Sequence, residues 1–97
     1  MLSPYIRFRL YLGSPHDYGR AVEIVSLYFD AFSTFDATGF WKGQREATLV
    51  FEIILPNKTG LETDAVARCA KQLAECFAQE SVLMTAEPVP VFELVKS

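Results

Sequence analysis

The chain is short of the residues that most often build metal, disulfide and redox sites. Its 97 residues include a single histidine, His16, and two cysteines, Cys69 and Cys76. On one helix the two cysteine Cα atoms would lie about 10.5 Å apart, whereas a disulfide needs less than about 7 Å. Free cysteines are typical of a reducing, cytoplasmic setting, and a structural zinc site takes four ligands, more than one histidine and two cysteines provide. We therefore expect a cytoplasmic protein with no metal and no cofactor.

The sequence also has no long apolar run and no surplus of positive charge. No segment reaches the roughly 20 apolar residues of a membrane span, and the first residues alternate instead of forming a signal-peptide core. Nine Lys and Arg residues stand against twelve Asp and Glu residues, which gives a net charge of −3. Nucleic-acid binding favours a basic surplus. We expect neither a membrane nor a nucleic acid as a partner.

What the chain does have is an ordered series of strand and helix patterns. Glycine and proline supply only five residues each, while 51% of the residues are hydrophobic, which excludes a disordered tail. Strict alternation predicts strands, and apolar residues at intervals of three and four predict helices. The predicted elements, in chain order, are a strand at 5–12, a helix from Ser14 to about Phe32, strands at 34–41 and 46–55, a helix at 60–79, and a strand at 82–86 with an edge extension at 90–94.

Local signals support the predicted ends of these elements. Ser14 is the predicted N-cap of the first helix, with Pro15 at its first position, and Lys42-Gly43 lies in the predicted hairpin turn. Thr59 and Glu62 have the spacing of a capping box before the second helix. Both cysteines fall on the apolar stripe of that helix, and we expect both to be buried.

The order β-α-β-β-α-β predicts the fold class. It is that of the α+β, ferredoxin-like domain, in which two helices cover one face of a four-stranded antiparallel sheet. We expect a single such domain over residues 1–97. Its first and third strands are then central neighbours, and the apolar rows of Phe8 and Phe51 face the helices. The other face of the sheet stays open.

The open face carries a mixed set of polar and apolar side chains. Arginines of the first strand could pair with Glu52 across strands on a solvated face. The aromatic and aliphatic members instead indicate an interface or a ligand surface. RNA-binding domains of this topology place aromatics on both central strands, but the third strand here does not. The candidate interface or ligand residues are Tyr5, Arg7, Arg9, Tyr11, Val50, Glu52 and Ile54.

The predicted hairpin is a second candidate site. Trp41, Arg45 and Glu46 are crowded around one turn. In one interpretation the tryptophan packs on a neighbour and the charges remain solvated. In the other, these three residues form the rim of a site, where Arg45 positions a small anionic ligand and Trp41 forms an apolar wall.

The chain resembles an uncharacterised bacterial family of ferredoxin-like domains. The similarity rests on short motifs between Leu10 and Leu94, among them a strand that ends in Gly13 and a closing P-V at Pro88. The others are Gly39-Phe40-Trp41, Arg45-Glu46 and Gln79-Glu80-Ser81-Val82-Leu83. The loop between Trp41 and Arg45 is shorter here than in that family. The resemblance implies linked roles for Trp41, Arg45, Glu46, Glu80 and Ser81, but no activity.

Two functional hypotheses follow from these patterns. In the favoured one, the protein is a non-catalytic binding or assembly module that self-associates, as a homodimer or larger oligomer, through its open sheet face. In the alternative, it is a small enzyme resembling dimeric α/β-barrel proteins, or a small-molecule-binding protein, with a pocket at the sheet face. We favour the first because Arg7, Arg9 and Glu52 have the character of a salt-bridged surface and not of an acid–base pair.

Overall fold

Six elements follow one another in the order expected from the sequence. The computed structural model describes residues 4–90 and 93–97. The elements are β1 (Tyr5–Gly13), α1 (Tyr18–Ser26), β2 (Ser33–Trp41), β3 (Gln44–Pro56), α2 (Glu62–Cys76) and β4 (Leu83–Pro88). The strands form one antiparallel sheet in the order β2-β3-β1-β4. The predicted α+β, ferredoxin-like fold is confirmed.

The core lies between one face of the sheet and the two helices. On β1 the alternate residues Phe8, Leu10 and Leu12 are fully buried, because every second side chain of a strand points to the same face. Opposite them in register, Ile53 and Phe51 of β3 complete the same layer. The helices cover this layer with Ile24 and Val25 of α1 and with Val66, Cys69 and Leu73 of α2.

The first helix is shorter at both ends than its apolar spacing predicts. It begins after Asp17, whose carboxylate accepts a hydrogen bond from the Arg20 N–H at 3.0 Å, and not after Ser14. It ends at Ser26, although apolar spacing continues to Phe32. Beyond the helix the chain turns back over the core, where Phe29 is buried and Phe32 packs on Phe51 with ring centroids 5.8 Å apart. Phe29 and Phe32 therefore have the sequence spacing of a helix, although they lie beyond its end.

The hairpin and the second helix agree more closely with the predictions. Lys42 and Gly43 both have positive φ, 49° and 76°, as a two-residue type I′ turn requires. Glu62 accepts a hydrogen bond from the Thr59 N–H at 3.2 Å, as in the predicted capping box. The N-cap of α2 is Leu61, however, and the Thr59 hydroxyl accepts from the Leu61 N–H, so Thr59 does not cap the helix. The predicted edge extension at 90–94 includes Val91 and Phe92, which lie outside the described residues.

The two cysteines have different environments. Cys69 is fully buried on the apolar stripe of α2, but Cys76 is exposed at the last position of that helix. The prediction that both thiols are buried is therefore wrong for Cys76. Within residues 4–90 and 93–97, no helix is long and apolar enough to cross a membrane. No group of three metal-ligating side chains is found in this part of the chain.

Candidate functional site

A cavity of about 850 Å³ opens at one end of the sheet. It lies where β1 ends, beside the β2–β3 hairpin, and where the chain enters β4. We call it the sheet-end cavity. Its walls combine hydroxyl, amide and carboxylate groups with aromatic and aliphatic ones. The residues that line it are Tyr11, Gly13, Ser14, Ala37, Thr38, Gly39, Phe40, Trp41, Glu46, Thr48, Gln79, Glu80, Ser81, Val82, Leu83 and Met84.

Two glycines make room for the polar groups of β3. A Cβ atom on Gly13 would lie 2.6 Å from Oε1 of Glu46, which is closer than such contacts allow. A Cβ atom on Gly39 would lie 2.7 Å from the hydroxyl oxygen of Thr48. Because Gly13 of β1 and Gly39 of β2 have no side chains, Glu46 and the buried Thr48 can lie across the neighbouring strands.

Glu46 is held in place by the residue that follows β1. The Ser14 hydroxyl donates a hydrogen bond to Oε2 of Glu46 at 3.3 Å. Ser14 has a φ of 41°, in the left-handed region that non-glycine residues rarely adopt, and its N–H donates to the Ala47 carbonyl at 2.6 Å. Backbone pairing with β3 thus carries the serine hydroxyl to the carboxylate. Oε1 of Glu46 has no hydrogen bond from Ser14 and lies against Gly13.

The segment before β4 closes the cavity from the opposite side. The Gln79 side-chain amide donates a hydrogen bond to the Gly13 carbonyl and so ties this segment to the end of β1. Glu80 and Ser81 follow at the cavity wall, and both are exposed. The structure therefore brings Glu46, Glu80 and Ser81 to one site, although they are distant in sequence.

The rim of the cavity is aromatic and open to solvent. Phe40 is 74% exposed, and Trp41 and Leu83 are each 60% exposed. The Lys42 amine lies 5.6 Å from the centre of the Trp41 ring, within the range of a cation–π contact. Large apolar side chains that border a polar cavity are typical of a ligand site.

The cavity is acidic. Two carboxylates, Glu46 and Glu80, line it, and none of the described residues at its wall is a lysine, arginine or histidine. Arg45 is exposed and stands opposite Phe40 in register, on the helix side of the sheet, and it is not part of the wall. Arg45 therefore does not provide, at this cavity, the positive charge that the sequence interpretation required for an anionic ligand. His16 stacks on Phe77 instead, with ring centroids 4.9 Å apart.

The middle of the open face is a network of ion pairs. Arg9 donates to Oε1 of Glu52 through Nε at 3.1 Å and through its terminal nitrogen at 3.0 Å. Arg7 lies 3.0 Å from the same oxygen and also pairs with Glu87 at 3.0 Å. The hydrogen bonds to Glu52 raise the pKa of Arg9. These charges neutralise one another within one chain.

The apolar candidate residues of the open face are less exposed to solvent than the strand alternation predicts. Val50 is completely buried, because it lies between Tyr11 and Phe35 in register and the long side chains of this face cover it. Tyr5 and Ile54 are half-buried. Of the open-face candidates, only Tyr11 belongs to the sheet-end cavity. Outside the sheet-end cavity, the open face therefore presents mainly polar side chains that are already paired with one another.

Four residues of the site were not singled out from the sequence. Gly13 and Ser14 looked like a strand end and a helix cap, and Thr48 like one member of an alternating row. Gln79 is 66 positions from the glycine carbonyl to which it donates. The one local signal was Gly13-Ser14 followed by Pro15. This pattern predicts a turn, but it does not indicate what the Ser14 hydroxyl binds.

The fold and the cavity can be compared with known proteins. No model of a protein family matches the sequence, and no curated protein is similar to it. A phage SAM lyase solved in complex with S-methyl-5'-thioadenosine matches with a TM-score of 0.69, at 20% identity over 91% of this chain and 84% of that chain. A phage SAM lyase in its apo state matches with a TM-score of 0.62, at 18% identity over 91% of this chain and 92% of that chain. These structures support the fold that the motif resemblance implied, but no family model supports the bacterial family itself.

These comparisons correct the favoured functional hypothesis. A non-catalytic module that self-associates through its open face is wrong as the first choice, because the similar structures belong to a lyase and one of them holds a small nucleoside. Val50, one of the candidate residues of the self-association surface, is already buried within one chain. The comparisons favour the alternative hypothesis, an enzyme or small-molecule-binding protein with a pocket at the sheet face.

Proposed function

We propose that the protein is an enzyme that binds S-adenosylmethionine in the sheet-end cavity and releases S-methyl-5'-thioadenosine. The observation that carries the proposal is an acidic cavity with an aromatic rim, in which Glu46 is fixed by Ser14 and Gly13. S-adenosylmethionine is a sulfonium cation, and a carboxylate is the side chain that attracts a cation. Similarity to phage SAM lyases over 91% of the chain supports the same function.

The size and chemistry of the cavity suit a nucleoside. Its volume of about 850 Å³ lies within the range of small-molecule sites, roughly 300–1,000 Å³. Aromatic side chains such as Phe40 and Trp41 provide faces on which a purine base stacks. The hydroxyls of Ser81 and Tyr11 provide hydrogen-bonding groups for a ribose.

The proposed reaction breaks the bond between the sulfonium sulfur and the Cγ atom of the methionine part. The sulfur keeps the electron pair and leaves as a neutral thioether. The electron pair that Cγ loses is replaced in one of two ways. Either the neighbouring carbon gives up a proton to water and forms a double bond with Cγ, or the substrate's own carboxylate attacks Cγ and forms a ring. In both cases Glu46 binds the cation and fixes the orientation of the chain that reacts, a positioning effect that can be large.

Release of S-methyl-5'-thioadenosine from S-adenosylmethionine, followed by chromatography, tests this proposal. Glu46→Gln keeps the size of the side chain and removes its charge, and we expect kcat/KM to fall about tenfold to a hundredfold. Glu75→Gln is a matched control, because Glu75 is an exposed carboxylate of α2 that does not line the cavity. The proposal is overturned if the purified protein neither releases the thioether nor binds S-adenosylmethionine.

A further inference from the structure

We infer that the sheet-end cavity recognises the positive charges of its ligand but not a ligand carboxylate, so that sulfonium nucleosides without the amino-acid carboxylate are also ligands. The chemical class is that of decarboxylated S-adenosylmethionine, an adenosine that carries a sulfonium and a primary ammonium. This inference rests on the proposed function and extends it to a second class of ligand.

The first step concerns the charges at the cavity wall. Glu46 and Glu80 are the ionisable acids among the described wall residues, and no cationic side chain accompanies them there. The remaining polar side chains of the wall are neutral hydroxyls, the indole N–H of Trp41 and the amide of Gln79, one N–H of which already donates to the Gly13 carbonyl. A ligand carboxylate would meet neutral donors at best.

The second step concerns four cationic side chains of the sheet and its hairpin, none of which lines the cavity. The Lys42 amine lies over the Trp41 ring. Arg9 donates two hydrogen bonds to Glu52, and Arg7 pairs with both Glu52 and Glu87. Arg45 stands on the helix side of the sheet. Moving Lys42, Arg9 or Arg7 to a ligand would give up a contact that it already makes, and Arg45 is not among the residues of the cavity wall.

The third step is the electrostatic consequence. S-adenosylmethionine carries two positive charges and one negative charge, and loss of its carboxylate leaves two positive charges. In a partly enclosed acidic cavity, where the effective dielectric constant is lower than in water, the carboxylate is repelled by Glu46 and Glu80. Its removal therefore leaves the affinity unchanged or raises it. A site that used an arginine for the carboxylate would lose affinity instead.

Two uncleavable thioethers form a matched pair for the test. S-adenosylhomocysteine and its decarboxylated counterpart differ only in the carboxylate, and neither has the sulfonium that the proposed reaction consumes. Their dissociation constants are measured by isothermal titration calorimetry at low salt and confirmed by competition with S-adenosylmethionine. We expect the decarboxylated ligand to bind about threefold or more tightly, with a preference that shrinks as salt screens the charges. Weaker binding of the decarboxylated ligand overturns the inference.

Variants identify the groups responsible. Glu80→Gln is expected to reduce the preference for the decarboxylated ligand, whereas Glu75→Gln leaves it unchanged. Arg45→Gln is expected to leave the affinity for S-adenosylhomocysteine unchanged, and a loss of about tenfold would show that Arg45 binds the carboxylate, which overturns the inference. If S-adenosylmethionine is cleaved but the decarboxylated ligand binds more weakly, only this inference fails. If no S-adenosyl compound binds or is cleaved, the proposed function fails with it.

Discussion

At the scale of single residues, Gly13 controls where the Glu46 carboxylate can lie. In Gly13→Ala the new Cβ would come within 2.6 Å of Oε1 of Glu46, and the far end of that flexible side chain must move. We expect release of S-methyl-5'-thioadenosine to fall about tenfold or more, because a displaced carboxylate misplaces the substrate. The free energy of unfolding should change by less than about 1 kcal/mol, as measured by urea titration.

Gly19→Ala is the control for this substitution. Gly19 lies in α1, where a Cβ atom would make only an ordinary contact with Asp17 at 3.5 Å. Alanine in a helix should stabilise the protein by about 0.5–1 kcal/mol and leave thioether release unchanged. A Gly13→Ala variant with full activity would show that the position of Glu46 does not matter for the reaction.

The two cysteines should differ sharply in reactivity. Burial raises the pKa of the Cys69 thiol to about 11, and its side chain is inaccessible, whereas Cys76 is exposed. Because the thiolate is the reactive form, we expect one thiol per chain to react rapidly with an aromatic disulfide reagent at pH 8 and the second only on unfolding. Cys76→Ser should abolish the rapid phase. Two rapid thiols in the native protein would contradict the packing of α2.

At the scale of elements, the start of α2 depends on an ionised Glu62. Burial alone would raise the pKa of Glu62, but hydrogen bonds from its own backbone N–H and from the Thr59 N–H and hydroxyl outweigh it and lower the pKa. A carboxyl group with a lowered folded-state pKa stabilises the protein above its unfolded pKa, about 4.3, and loses that effect as the pH falls through the folded value.

The expected result is a pH-dependent difference between the natural chain and Glu62→Gln. At pH 7 the variant should unfold at a lower urea concentration, and the difference should shrink as the pH falls below about 4.3. Glu75→Gln, on the exposed side of the same helix, should show no such difference. A constant difference between pH 7 and pH 3 would mean that the charge of Glu62 does not stabilise the helix start.

The elements could be predicted from the sequence wherever one period dominated. The alternation in β1 and β3 gave the strands and the buried rows, because a strand with one buried face leaves that pattern directly in the sequence. The end of α1 could not be predicted, since Phe29 and Phe32 are buried by a returning turn at the same spacing as a helix. Helical periodicity records which residues are buried, and not which backbone buries them.

The candidate site was predictable only in part, for a related reason. Trp41 and Glu46 were found because they lie on one hairpin, which a short turn brings together. Ser14 and Gln79 belong to the same cavity, but strand pairing and the packing of distant segments bring them there. Arg45 was included with its neighbour Glu46, but only Glu46 lines the cavity.

At the scale of the whole molecule, the open face should behave as part of the folded chain and not as an apolar contact surface. Val50 is fully buried, so Val50→Asp places an unpaired carboxylate beneath Tyr11 and Phe35. We expect it to destabilise the protein by about 3–4 kcal/mol, measured by urea unfolding. Ile54→Asp is the matched control, because Ile54 is only half-buried and faces Arg7 in register, and its cost should be smaller. An equal loss of unfolding free energy in the two variants would show that Val50 is no more buried in solution than Ile54.

The position of β1 has a consequence for the order in which the protein can fold during synthesis. β1 leaves the ribosome before the other three strands of this sheet, yet it pairs on one side with β3 and on the other with β4, so that Ile6 lies opposite Pro88. Until Leu83–Pro88 has been made, one edge of a strand carrying Phe8, Leu10 and Leu12 has no neighbour. A nascent chain that stalls after α2 should therefore recruit chaperones or associate with other chains, and it should become resistant to protease only once β4 has emerged.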